Sequence, residues 1–334
     1  MKRYQKANEG IHAPGEIKER AVRPSQKRPY WREAVAAVLT LVLIGGAAMW
    51  TGNAGNPGEP AALSENGPAV RSAGLSAKAT PLAVAQYPKM HDYPRQDDYF
   101  SDETWNSNGR YDRAMAAWRE DMTAQFLAGA GEDNRVYSPL NVYMALSMLA
   151  ETTGDNTRAQ ILDLLQADSI ETLRDRAAAL WKDNYRDDGT VTSIWGNSLW
   201  LRDGFTYSKK TLNTLAQNYY ASSFSGKMGS EEYNQALRNW LNEQTNGLLA
   251  EQASQLKMKP ETALALASTI YFKAAWGDEF NQELTETDAF HALSGDVDAE
   301  FMHKTLEGTY YWGDRFAAVQ LGFQEGGSMW LLLP

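Results

Sequence analysis

Seventeen consecutive residues, Ala34 to Trp50, carry no charge, and the 33 residues before them hold nine Lys/Arg against four Glu. As a helix rising ~1.5 Å per residue, this run reaches about 26 Å, close to the roughly 30 Å hydrocarbon core of a bilayer. Tyr30 and Trp31 stand at one end and Trp50 at the other, where an interfacial aromatic belt belongs. The basic flank comes first, so the positive-inside rule puts residues 1–33 in the cytoplasm and the remainder outside. A cleaved signal peptide is the competing reading. Its basic region is usually short, and the small residues Gly52-Asn53-Ala54 lie beyond the apolar stretch. The expectation is an uncleaved single-pass anchor in the cell membrane, or secretion if the segment is cut. Gly45, Gly46, Pro24 and Pro29 suit no buried soluble helix, and with no cysteine there is no lipid-anchor site.

Proline sets the next boundary. Nine of the twelve prolines fall at or before Pro94, and nine of the eleven tryptophans lie from Trp105 onward. Residues 51–108 carry no sustained helical or strand period and read as a Pro/Gly-rich extracytoplasmic linker. Four parts result: a basic cytoplasmic tail (1–33), the anchor (34–50), the linker (51–108) and a globular domain (109–334).

Composition removes several chemistries. The absence of cysteine excludes disulfides, thiolate metal sites and cysteine nucleophiles, and four histidines are too few for a histidine-rich metal centre. A net charge of −10 opposes phosphate neutralisation. No metal, cofactor or nucleic-acid partner is therefore expected.

The globular part mixes helical and strand periods. Tyr111, Met115, Trp118, Met122 and Phe126 form one helical face. Pro139 to Ala150 is apolar nearly all round and predicts a buried helix, capped by Ser138 with Pro139 in its first turn. Asn156 to Leu165 predicts a short helix. Asp168 and Glu171 make a capping box before the stripe Ile170, Leu173, Ala177 and Trp181. Two more helices are marked by Leu212, Leu215 and Tyr219, and by Tyr233, Leu237, Trp240 and Leu241, the second stopped at Asn246-Gly247. Thr190 to Leu201 reads as a strand, and Thr262 to Phe272 as a strand covered on both faces. Phe316 to Phe323, with Val319, Leu321 and Phe323 on one face, turns at Glu325-Gly326-Gly327 into Met329 to Leu333. The chain stops straight after an apolar strand, which gives the expectation of a sequence cut short.

Several of these segments, in this order, resemble the serpin family, and the likeness covers residues 110–334. Val136-Tyr137-Ser138-Pro139-Leu140-Asn141 through Met148-Leu149, then Gly154-Asp155-Asn156-Thr157, is similar to the family's central buried helix and the turn after it. Gly196-Asn197-Ser198-Leu199-Trp200 resembles the second strand of the large sheet. Asn239-Trp240-Leu241 through Asn246-Gly247 resembles the helix lying across that sheet. Ile270-Tyr271-Phe272-Lys273-Ala274-Ala275-Trp276, with Phe280, Thr285 and Phe290, resembles the third strand and the gate beneath it. Phe301-Met302-His303-Lys304-Thr305 and Met329 to Pro334 continue the series.

The resemblance, to a bacterial-type and membrane-anchored member, implies an α+β fold with helices packed around large mixed β-sheets, incomplete at the C-terminus. It implies a suicide inhibitor of serine, and in some members cysteine, proteases. The target protease cuts an exposed loop, and the cut loop inserts into the large sheet as a new strand. By motif match, Ser138, Asn141 and Ser268 lie in the region that governs sheet opening, and Trp276 matches the aromatic where insertion begins. The family usually has Asn where Ser268 stands and Ser where Asn141 stands, an exchange in which the two changes can compensate each other. The reactive loop itself is expected C-terminal to Pro334. The family also contains non-inhibitory carriers and chaperones, so a serpin-fold binding protein is the alternative reading.

An extracytoplasmic acyl-serine enzyme of the penicillin-binding type is the rival class. Ser254-Gln255-Leu256-Lys257 fits S-x-x-K, but Ser64-Glu65-Asn66 lies upstream in the linker and Lys304-Thr305 is followed by Leu306. No G-x-S-x-G elbow accompanies His291 or His303, and both histidines read as ordinary sheet or surface residues. Asp296-Val297-Asp298-Ala299-Glu300 mimics a calcium loop, but Phe301 stands where Gly is needed, so it reads as a solvated acidic turn. No catalytic residue is expected.

Overall fold

The computed structural model describes residues 40–43, 79–87, most of 116–128, 136–187, 191–292, 295–305, 310–325 and 327–333. The chain divides into Met1–Val38, which lies outside the described residues, and Leu39–Pro334. Two short strands come first, β1 (Thr40–Leu43) and β2 (Thr80–Ala83). Helical backbone at 118–120 and 122–126 follows, with Trp118 buried, Met122 half-buried and Phe126 exposed; Tyr111 and Met115 of the predicted stripe lie outside the described residues. Helix α1 (Pro139–Thr152) starts where proline's missing N–H costs nothing. The Ser138 hydroxyl oxygen accepts from the Asn141 backbone N–H as its cap, and nearly every face of the helix is buried.

Helices α2 (Asp155–Leu164) and α3 (Ile170–Asn184) come next. The cap of α3 is Ser169, which accepts from the Thr172 N–H, and not Asp168. Both residue types cap well, and the one adjoining the first helical residue takes the position. The elements that follow are β3 (Arg186–Asp187), β4 (Val191–Arg202), α4 (Lys209–Asn218), β5 (Ala221–Gly226), α5 (Glu231–Gln244), α6 (Ala250–Ser254) and β6 (Leu264–Ala274).

Strands β1 to β6 form a six-stranded mixed sheet in the order β1-β6-β4-β5-β2, with β3 paired to β4. Strand β4 runs antiparallel to β6 over eleven residue pairs, Val191↔Ala274 to Leu201↔Leu264, and parallel to β5. Alternate residues serve two cores. Leu199, Leu201 and Leu266 join α1, α3 and α4 on one face, with Trp118, Tyr143, Met148, Trp181 and Tyr219. Trp200, Ala265 and Ala267 meet α5 on the other, through Tyr233, Leu237, Trp240 and Leu241. Each large apolar side chain so buried contributes roughly 1.5–3 kcal/mol. Helix α5 lies so close to β4 that a Cβ at Gly196 would stand 2.7 Å from Gln244 Oε1. It ends at Asn246 and Gly247, both at positive φ.

Beyond the large sheet, β7 (Glu286–Ala292) and β8 (Gly295–Phe301) form a hairpin, and β9 (Tyr310–Trp312), β10 (Ala317–Gly322) and β11 (Ser328–Leu333) form an antiparallel sheet in the order β11-β10-β9.

Three expectations change. Thr40–Leu43, inside the run read as a membrane helix, is a strand that pairs in parallel with Ala265–Ser268 of β6. A charge-free segment rich in Thr, Val and Leu suits an open sheet edge as well as it suits lipid. The rest of that run lies outside the described residues. Among the described residues no helix is long and apolar enough to cross a membrane. Residues 79–87, within the stretch read as linker, are built into the sheet. Strand β2 pairs with β5, Ala79 and Ala85 are buried, and the Tyr87 ring stacks at 5.7 Å on Tyr185. Four residues containing a proline are too few to show a period, and proline is tolerated on an edge strand. Asp296–Phe301 is a regular strand and not an acidic turn, because its acids alternate with Val297, Ala299 and Phe301. In β10, Val319 and Leu321 share one face as the alternation predicts, Leu321 buried and Val319 half-buried, and Ala318 is buried on the other.

Candidate functional site

The first turn of α1 lies against the middle of β6. Register and pleat place Ser268 of β6 and Trp195 and Asn197 of β4 on the α1 face of the sheet, since Ser268 stands opposite Asn197 and Trp195 opposite Ile270. The Ser138 hydroxyl donates to Asn141 Oδ1 at 2.5 Å. Asn141 Nδ2 donates to Ser268 Oγ at 3.1 Å. Trp195 Nε1 donates to the same oxygen at 3.2 Å. Asn141, Ser268 and Trp195 are each 1 % exposed, so the two bonds to Ser268 are made in a low-dielectric setting, while the Ser138 end is half-buried. Three residues singled out in the sequence, Ser138, Asn141 and Ser268, are therefore joined in one network. The Asn141 amide, reaching out from the helix, spans the gap to the shorter Ser268 side chain on the strand.

Firm packing surrounds the network. Trp181 Nε1 donates to the Trp195 carbonyl at 2.9 Å, and the Trp181 ring stacks on Tyr220 at 3.6 Å. At the far end of α1, buried Glu151 accepts from Arg174 Nε at 2.8 Å and from the Tyr219 hydroxyl at 2.9 Å. Burial first, then the Glu151 carboxylate, pushes the Tyr219 hydroxyl far above the ordinary tyrosine value. Burial also raises Tyr143, against the pull of Arg176, whose Nη1 donates to its hydroxyl at 2.9 Å.

Trp276 lies apart from the network, beyond the end of β6. It forms an antiparallel bridge with Phe323, and its ring stands 5.1 Å from Phe323 and 5.9 Å from Phe280. It is half-buried. Ser254 closes a short surface helix, where its hydroxyl donates to the Glu251 carbonyl at 2.5 Å, and Lys257 is exposed. Nothing there makes a nucleophile or shields one from water. His291 is exposed on β7, paired with Asp296 at 2.8 Å, and His303 is exposed in the loop after β8.

The sequence reading missed Trp195. Its one signal was chemical: a tryptophan inside a buried strand carries an indole N–H that needs an acceptor. It also missed Asn197, whose Nδ2 donates to the Tyr219 carbonyl at 2.8 Å while its buried Oδ1 has no partner among the described residues.

The family model described as serpin (serine protease inhibitor) matches residues 119–334, more than half of the chain. The putative serpin-Z5 of Oryza sativa subsp. japonica is 33 % identical over 205 residues, which are 59 % of this chain and 44 % of that protein. Serpin-ZX of Arabidopsis thaliana is 27 % identical over 60 % of this chain and 54 % of its own length. The chain thus spans about half the length of the curated relatives it matches. Among solved structures, AtSerpin1 of Arabidopsis in its native stressed conformation superposes with a TM-score of 0.62 at 23 % identity, over 67 % of this chain and 61 % of that one. That likeness shows the fold.

Proposed function

The chain belongs to the serpin family, whose members are generally protease inhibitors and not enzymes, and on that premise we propose that the whole protein is a suicide inhibitor of serine or cysteine proteases. One observation carries the reading. Strand β6 is paired along all eleven of its residues to β4, whereas on its other edge only four residues, Ala265–Ser268, meet β1. Among the described residues, Thr269–Ala274 have no strand on that side. Half of the N–H and C=O groups there point to an edge able to take a further strand, the physical requirement for inserting a cut loop. The network of Ser138, Asn141 and Ser268 holds β6 to α1 beside that edge, where it would resist opening until insertion repays its loss. Trp276, just past the end of β6, is the site at which insertion would begin.

The protein would act outside the cytoplasmic membrane as a single-pass protein. Support comes from the nine basic residues before Ala34 and the charge-free run after it. Because Thr40–Leu43 also serve as β1, anchoring and edge pairing are alternative uses of one segment. Protease added to spheroplasts should remove the globular part, and full protection there would exclude this topology.

The function is tested by mixing the natural protein, isolated from its source, with trypsin-like, chymotrypsin-like and subtilisin-like proteases. A covalent complex surviving denaturing electrophoresis is expected with at least one of them. Cleavage of the protein with no complex would instead mark a non-inhibitory binding protein on the serpin fold.

A further inference from the structure

We propose that Trp195 is a fourth member of the network between α1 and β6, a positioning residue that fixes the direction of its hydrogen bonds and fastens β4 as well as β6 to the helix. The idea rests on the sheet-opening reading above for its functional meaning, though not for its geometry.

The bond directions follow from chemistry. An indole N–H can only donate, so Ser268 Oγ must accept from Trp195 Nε1 at 3.2 Å. At the other end, Ser138 Oγ accepts from the Asn141 backbone N–H, which leaves its own hydrogen for Asn141 Oδ1 at 2.5 Å. With its carbonyl so used, Asn141 turns its amide to Ser268 at 3.1 Å. Every proton along the path then points toward Ser268, whose oxygen receives two donors and has no lone pair to spare.

Two consequences follow. The hydrogen of Ser268 can only be given away, and among the described residues it meets no acceptor. Any further group that joins the network must accept a hydrogen bond. Asn197 Oδ1, on the residue directly opposite in register and on the same face, is a buried acceptor without a donor among the described residues. Trp195 also makes the link asymmetric. Freeing β6 from α1 breaks one bond to the helix and, if β6 shifts along β4, a second bond to the indole. Trp195 itself stays in place, because its carbonyl is held by Trp181 Nε1 at 2.9 Å.

The test uses the full chain, labelled with ¹⁵N at the tryptophan indoles, as wild type, Trp195→Phe, Ser268→Ala and the double variant. Phenylalanine keeps most of the ring and removes the donor. Hydrogen exchange at the amides of residues 265–270 should accelerate several-fold in Trp195→Phe. The same substitution made in the Ser268→Ala background should add almost nothing. The Trp195 indole N–H resonance should move upfield and exchange faster in Ser268→Ala, while that of Trp181 stays unchanged. This second readout keeps Trp195 in place, so it holds even if the phenylalanine variant folds poorly. Equal acceleration by Trp195→Phe in both backgrounds would overturn the proposal, because the ring would then act through packing alone. An unmoved Trp195 resonance in Ser268→Ala would overturn it too. Coupled exchange together with no protease complex from the natural protein would support Trp195 as a fastener and refute the inhibitor reading. A complex together with additive exchange would do the reverse.

Discussion

Trp195 and Trp200 of the six-stranded sheet are 1 % and 0 % exposed, whereas Trp312 and Trp330 of the β9–β10–β11 sheet are 72 % and 42 % exposed. Both sheets carry apolar residues on both faces. The first is covered by α1, α3 and α4 on one side and α5 on the other. The second leaves Leu331, Leu332 and Leu333 largely open. Aromatic and aliphatic residues in a strand thus do not make a core by themselves; a covering layer does. Stability should accordingly be concentrated around β4 and β6, and substitutions of the same type should have unequal effects in the two regions.

The sharpest contrast is between tryptophans. Trp181→Ala removes a fully buried ring stacked on Tyr220 and Tyr185, together with a hydrogen bond to β4. It should cost about 3–5 kcal/mol in urea unfolding. A loss below about 1 kcal/mol would deny the large sheet its special status. Glu151→Ala should cost about 2 kcal/mol, because it strands Arg174 and the Tyr219 hydroxyl. The double variant Glu151→Ala/Tyr219→Phe should recover part of that loss.

Alkaline pH provides a third comparison. Burial raises Tyr87, Tyr219 and Tyr233 of this region above the ordinary value of 10.0. The folded protein holds these protons after the unfolded chain has begun to release them. Stability is therefore fully present below pH 10 and falls as pH rises beyond it, by about 1.4 kcal/mol per pH unit for each such tyrosine. Unfolding midpoints followed from pH 8 to 11 should decline only above about 10, and Tyr219→Phe should flatten the decline. Trp276→Ala, at a half-buried site, should cost about 1 kcal/mol. Smallest of all, Trp312→Ala should change stability by less than about 0.5 kcal/mol while reducing self-association in light scattering. A large destabilisation there would mean that β9 is covered in solution.

Regular elements were legible in the sequence where length and period agreed. The buried helix from Pro139, the stripe ending at Trp181, the helix around Trp240 and the long strands at Thr190 and Thr262 each carry ten or more patterned residues. Short or ambiguous segments were not legible. Thr80–Ala83 shows no pattern in four residues, and its place is set by the free edge of β5. Thr40–Leu43 is apolar without a period, so sequence alone cannot choose between lipid and a sheet edge. The acidic alternation at Asp296 was read by its charges and not by its period of two. In the site, Ser138 announced itself as a helix cap. Asn141 and Ser268 were found through family resemblance, and Trp195 was missed because its bond to Ser268 depends on a strand register that no local pattern encodes.

The central claim is that the far edge of β6 takes a strand when the protein acts. It is tested most directly by hydrogen exchange in the natural protein, before and after it has trapped a protease, at the amides of residues 269–274. Alternate amides in this segment point away from β4. Before cleavage these should exchange quickly while their neighbours, bonded to β4, exchange slowly. After cleavage the two sets should become equally protected as the new strand pairs with them. If the outward amides still exchange rapidly in a covalent protease complex, nothing has been inserted beside β6, and the account of how this protein works is contradicted.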